Sequence, residues 1–202
     1  MLSLLIILSS YISLISASGD VAFDHSNTAS GTYSVVSGGF NNEATAQSCV
    51  IGGGYDNTNN GQTAVISGGF TNSITSTGSY ASIGGGYMNV AKGHSSTISG
   101  GYNNEVTGFW AAISGGTKNV ASGYSSSIVG GKSNVATGDY STILGGYQNT
   151  ANGNNSFIMG FNGITNHDHS SVFNFHSNDS FTCSSISEGS VHMCVENGFY
   201  IN

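Results

Sequence analysis

A chain of 202 residues with 31 Gly, no Pro, 6% charged residues and a formal net charge of −7 is far from an ordinary domain, in which about a quarter of residues are charged. Its only cations are Lys92, Lys118 and Lys132, so it lacks the basic stripe that a nucleic-acid backbone or an anionic membrane surface requires. Apolar residues still make up 38% of the chain and are regularly spaced, which points to an ordered fold of small residues and backbone hydrogen bonds rather than a disordered linker.

In chain order, residues 1–15 are apolar apart from scattered Ser and one Tyr, and the small residues Ser16-Ala17-Ser18 follow. This predicts a secretory signal peptide over 1–18, cut near Ser18-Gly19, with the terminal amine as its only positive charge. An uncleaved anchor is the alternative, but the apolar run falls short of the roughly 20 residues a membrane span needs. Residues 19–30 form a lead-in to what comes next.

The chain then returns nine times to one pattern, roughly Ser-x-Ile-x-Gly-Gly-aromatic-x-Asn-x-Ala-x-Gly. Its apolar anchor falls at Val36, Ile51, Ile66, Ile83, Ile98, Ile113, Ile128, Ile143 and Ile158, and every step is 15 residues except Ile66 to Ile83, which is 17. A fixed period signals a one-dimensional stack of like units, here over 31–163. Within the unit 123–137, residues 125–129 predict a short strand with Ser126 and Ile128 on one face. Gly130-Gly131 breaks it, and a second short strand follows over 134–136. Two short strands and two tight turns make one coil of an all-β parallel β-solenoid of about nine 15-residue coils. Glycine density and β-branched anchors disfavour helix.

Alternation names the inward side chains. Two residues before each anchor lie Ser34, Cys49, Ala64, Ala81, Ser96, Ala111, Ser126, Ser141 and Ser156. On the second strand Ala44, Ile74, Ala91, Val106, Ala121, Ala136 and Ala151 face the anchors. At ~25 cal/mol per Å² such a core gains a few kcal/mol per coil, which barely offsets the entropy of ordering the coil. A core this thin predicts association with further copies.

Asn42, Asn57, Asn72, Asn89, Asn104, Asn119, Asn134 and Asn149 occupy one position in eight repeats, as a stacked amide ladder or as turn residues tolerating left-handed angles. Two residues before them stand Phe40, Tyr55, Phe70, Tyr87, Tyr102 and Tyr147, with Thr117 and Lys132 interrupting. A column of rings serves structure or an interface, or stacks on glycans or another protein. Phe109, Trp110 and Tyr124 add aromatics at the opposite turn. The outward positions beside the anchor grow apolar along the chain, from Val35 with Ser37 and Val50 with Gly52 to Thr142 with Leu144 and Phe157 with Met159. That trend predicts a subunit contact near the C-terminal end, or docking against the tail.

After Gly163 the pattern stops, and 164–202 read as a small C-terminal β cap with strands over 171–175, 190–195 and 198–201. Cys183 and Cys194 have the spacing to close a short loop, while Cys49 sits at a small core position; pairing between chains is the alternative. His167-Asp168-His169, His176 and His192 match no recurrent zinc spacing and are read as polar turn residues, so no metal or cofactor is expected. Asn154-Asn155-Ser156 and Asn178-Asp179-Ser180 are glycosylation sequons, relevant in a eukaryotic source.

The unit 138–152, Gly-Asp-Tyr-Ser-Thr-Ile-Leu-Gly-Gly-Tyr-Gln-Asn-Thr-Ala-Asn, resembles the YadA-like head repeats of trimeric autotransporter adhesins, roughly Gly-x-x-Ser-x-Ala/Ile-x-Gly-x-x-Ala-x-Ala-x, with one extra Gly. The resemblance covers 31–163, about two thirds of the chain. It implies a left-handed parallel β-roll, a homotrimer, and attachment to a host surface, matrix protein or glycan without catalysis. The period of 15, the double glycine and the Asn depart from the head consensus. Neither a heptad stalk nor a membrane-anchor barrel follows the repeats, so the expectation is a head module that is secreted, carried by a partner, or built into a cell-surface or virion fibre. A structural fibre or coat protein is the alternative function. Ice binding is weaker, because the outward pairs are irregular. An enzyme is not expected, since the ten acidic residues are dispersed rather than clustered for acid–base work.

Overall fold

The computed structural model describes residues 21–22, 26–176 and 181–195. Among them there is no helix, and the strands alternate between a 12-stranded and an 11-stranded parallel sheet. Each turn of the chain adds one rung to each sheet, giving a β-solenoid of about ten coils. The expected leader over 1–18, the strand over 198–201 and the sequon at Asn178 lie outside the described residues.

The anchors stack in register, Val36 on Ile51 through Ile143 on Ile158, and all nine are buried. The small residues before them and the row from Ala44 to Ala151 are buried as well, so the inward face is as the alternation predicts. Asn59 is the one member of the second row that is polar. It is fully buried because its amide donates to Val50 O at 3.0 Å and Ala64 O at 2.9 Å and accepts from Gly61 N at 3.2 Å. Cys49 is a free buried thiol, and burial pushes its pKa up, keeping it protonated and unreactive.

Strands are shorter than the sequence suggests. In the unit 123–137 they are Ser127–Ile128 and Val135–Ala136, because Ser125 (φ 51) and Ser133 (φ 58) are in the left-handed region and end the extended backbone. The long coil absorbs its two extra residues in the turn after the second strand. There Thr77 Oγ1 donates to Lys92 O at 2.8 Å, and the flanking registers Val65 on Ser82 and Ser73 on Val90 are undisturbed.

Beyond Gly163 the described residues add further strands to the two sheets. Ser171–Asn174 and Val191–Cys194 extend the first sheet, and Gly163–Thr165 and Cys183–Ser184 extend the second. Val172 pairs with Ile158 and is fully buried, a further anchor one residue early. The coil shortens because Gly160 stands alone where earlier coils carry two glycines. Cys183 and Cys194 form a disulfide, joining the last strands of the two sheets.

The two glycines of each turn are not equivalent. At Gly116 (φ +90) a Cβ would lie 2.2 Å from Gly131 O and 2.7 Å from Asn119 Nδ2, whereas at Gly115 it would meet nothing within 4 Å. Gly116→Ala is therefore expected to cost about 3 kcal/mol or more, and Gly115→Ala to stay within about 0.5 kcal/mol of wild type; denaturant titration of both variants checks the contrast. The hydroxyls of Ser126 and Ser141 are buried without a hydrogen-bond partner. Ser126→Ala and Ser141→Ala should each raise stability by about 1 kcal/mol, read as a higher Tm.

Candidate functional site

The turn from the first sheet into the second holds the most regular chemistry of the molecule. Strand N–H groups donate forward, as Thr97 N does to Ala111 O at 3.0 Å. In the turn, Asn103 adopts φ 54 and reverses this direction. Its N–H donates back to Tyr87 O at 2.9 Å, and the next N–H, of Asn104, meets Asn89 Oδ1 at 3.0 Å. Asn104 Nδ2 then donates to Asn89 Oδ1 at 3.2 Å, Gly100 O at 3.1 Å and Gly116 O at 3.0 Å.

The same pattern of amide bonds runs along the eight predicted asparagines, all essentially inaccessible. The left-handed angles fall instead on the preceding residue, from Asn41 to Gln148. Asn27 starts the ladder one coil earlier than the repeats suggest, accepting from Asn42 N at 2.9 Å. Gly163 N closes it on Asn149 Oδ1 at 2.9 Å.

The predicted aromatics form a column on this corner. Phe40, Tyr55, Phe70, Tyr87 and Tyr102 bridge coil to coil, and the bridges run on through Thr117 and Lys132 to Tyr147. The first five rings are 40–52% exposed, and Tyr147 is half-buried. Centroids of Phe40–Tyr55, Tyr55–Phe70, Phe70–Tyr87 and Tyr87–Tyr102 are 5.3, 4.9, 5.1 and 5.3 Å apart, with three pairs stacked and Phe70–Tyr87 edge-on. Such spacing lets the rings support one another while their outer edges face solvent.

Phe161 pairs with Tyr147 and continues the column, a member that the repeat pattern misses because its coil is one residue short. The opposite corner carries a second, less regular column. Tyr80, His94, Trp110, Tyr124 and Tyr140 follow at 5.2, 6.5, 5.0 and 5.5 Å, with Phe109 5.9 Å from His94. Trp110, Phe109 and Tyr124 are visible in sequence; Tyr80, His94 and Tyr140 join them, with Tyr80, Trp110 and Tyr140 at the left-handed place of their turns and His94 and Tyr124 one residue before it.

Of the cations, Lys92 is paired with Glu105 at 2.6 Å, and Lys132 Nζ sits 5.7 Å over the Tyr147 ring. In the tail, His167 Nδ1 lies 3.1 Å from Ser185 Oγ, Asp168 accepts from Asn154 N at 2.8 Å, and His169 faces Glu188 at 3.6 Å. Among the described residues no group of three His, Cys, Asp or Glu is placed to hold a metal ion, and no helix is long and apolar enough to cross a membrane. No protein-family model matches this chain, and a search of the curated proteins returns no match.

Because Asn104 Nδ2 faces only oxygen atoms, Asn104→Asp would set an acceptor-only carboxylate against Gly100 O and Gly116 O. Thermal unfolding of this variant should show a loss of about 3 kcal/mol. A wild-type melting curve would remove the ladder from the list of interactions that hold the coil.

Proposed function

We propose that the chain is an adhesin-like head module, secreted or displayed on a cell or virion surface. In this reading it assembles as a homotrimer of left-handed β-rolls with the last coils as its cap, and it attaches to a host or matrix surface by contact rather than chemistry. The observation that carries the proposal is the exposure of the ring column from Phe40 to Tyr102. These rings add little to the core, which the Ile and Ala rows already fill. Exposed aromatics of this kind, regularly spaced on a rigid support, suit stacking on sugars or protein side chains. The Cys183–Cys194 disulfide supports export, since such bonds persist in oxidising compartments.

The outer face of the first sheet supports assembly. Val129, Leu144 and Met193 are exposed, with Phe157, Met159 and Phe173 half-buried beside them. A contiguous apolar patch on an acidic chain is a contact surface. The same patch favours a second reading, a structural fibre or coat protein whose copies meet side by side. The outward row beside the anchors, with Val65, Ser82, Thr97 and Ala112 on successive rungs, lacks the repeated hydroxyls that ice binding needs.

Two measurements separate the readings. Light scattering of the secreted protein should give a mass near three times that of the chain, and a stable monomer would overturn the trimer. In the double variant Tyr87→Ala/Tyr102→Ala, attachment to glycan and matrix arrays should fall about tenfold or more at an unchanged melting temperature. A fall in Tm or loss of the oligomer, with no array binding to lose, would establish the fibre reading instead.

A further inference from the structure

The interruption of the ring column concentrates the positive charge of the protein. Thr117 bridges Lys132 across adjacent coils, and Lys118, next to Thr117, bonds through its N–H to Tyr102 O at 2.9 Å. Lys118 and Lys132 therefore project from successive coils at one corner, and both are exposed. Neither has a carboxylate within ion-pair distance among the described residues, whereas Lys92 is neutralised by Glu105. On a chain of net charge −7, this corner is where an anion meets attraction instead of repulsion.

Beside the two lysines the surface is concave: Ser133 follows Lys132 in the chain and takes the place of Lys118 one coil on. Ser133, Gln148 and Asn162, each one residue past Lys132, Tyr147 and Phe161 of the column, line an open groove of about 380 Å³ with Thr150, Ile164 and Thr182. That volume falls within the roughly 300–1,000 Å³ of small-molecule sites. Its walls are hydroxyls and amides apart from Ile164, so it suits a ligand rich in hydroxyl groups. Phe161, 46% exposed, directly precedes the lining residue Asn162 and so flanks the groove at its C-terminal end. From Lys132 to Phe161 is two coil steps, roughly 10 Å at the spacing of strands, a span that calls for an oligosaccharide rather than a single sugar.

We infer that this groove binds an acidic saccharide, a deepening of the adhesive reading on which it rests. Lys132 and Lys118 hold the carboxylate or sulfate, Ser133, Gln148 and Thr150 bond sugar hydroxyls, and Phe161 stacks on an apolar sugar face. Two cations are too few to neutralise a nucleic-acid backbone. An acidic peptide would use the lysines but would leave the polar walls and the ring without a role.

The test is titration calorimetry of the full protein with sialyllactose, lactose sulfate and lactose, which share a core and differ in charge. At least one acidic sugar should bind about tenfold or more tightly than lactose, and this advantage should shrink as salt rises. The preferred acid identifies the source as carboxylated or sulfated. Lys118→Gln/Lys132→Gln should abolish the advantage, Phe161→Ala should weaken acidic and neutral sugars alike, and Lys92→Gln should change nothing. Glutamine is compatible with the left-handed angle at Lys118, since Gln148 holds nearly the same angle in the equivalent place, and a wild-type melting curve of the double variant checks that it folds.

Equal binding of lactose, no binding of either acidic sugar, or full affinity in the double variant overturns the inference. So does a short poly-Glu peptide that binds as tightly with the same lysine dependence. If attachment through Tyr87 and Tyr102 persists without acidic-sugar binding, the present inference alone fails. If sialyllactose or lactose sulfate binds but no array surface is held, the adhesive reading alone fails.

Discussion

In the turn from the first sheet into the second, each coil must send two N–H groups backward while its strands donate forward, and the rest of the structure follows from how it does so. A left-handed residue such as Asn103 makes the reversal. Its own N–H finds a backbone carbonyl in the preceding coil, but the next one does not. Only a side-chain oxygen held at that point can accept it, and Asn89 Oδ1 does. The buried nitrogen of the same amide must then be satisfied as well, and it donates to the glycine carbonyls of two coils, Gly85 O and Gly101 O. Gly116 allows the approach, because a Cβ there would strike both Gly131 O and Asn119 Nδ2. Asparagine and the second glycine are thus one device with two parts, and an unpaired member would carry the full cost of a buried polar group.

This device separates structure from surface chemistry. The Ile and Ala rows are enclosed, and the amide ladder closes one corner from within. What the outside of the corner carries is then free to vary. Rings occupy it in the first five coils, Thr117 and Lys132 in the next two, and rings again at Tyr147 and Phe161. The backbone bridges continue across the change without a break. A uniform scaffold therefore presents two different chemistries along one edge, a ring column and, where Thr117 and Lys132 interrupt it, the exposed lysines Lys118 and Lys132.

Much of this was legible in the chain. The anchors, the small residues before them, the Asn ladder and the ring column all follow from period and alternation, since a stack repeats its contacts at the period of its sequence. What escaped had a physical reason in each case. Val172 and Phe161 lie one residue early because Gly160 stands alone, so a fixed step overlooks them. Asn59 reads as a violation of the core pattern until its three hydrogen bonds are seen. The left-handed residues carry no common side chain, with Met88, Lys118 and Trp110 among them, so their backbone angle leaves no trace in composition. The groove joins three coils and the segment near Thr182, a proximity that no local pattern encodes.

The two extra residues near Thr77 leave the registers on both sides intact, because they sit in a turn whose ends stay on the same faces. A single residue gained inside a strand would instead swap inward and outward side chains for the rest of that rung. Duplication or deletion of one of the regular 15-residue units changes neither, since those coils repeat the same register and the same amide bonds. Over generations such a gene can lengthen or shorten its product by entire coils through unequal recombination between repeats. The reach of the protein can thus evolve in integral steps, independently of the chemistry displayed along its edge.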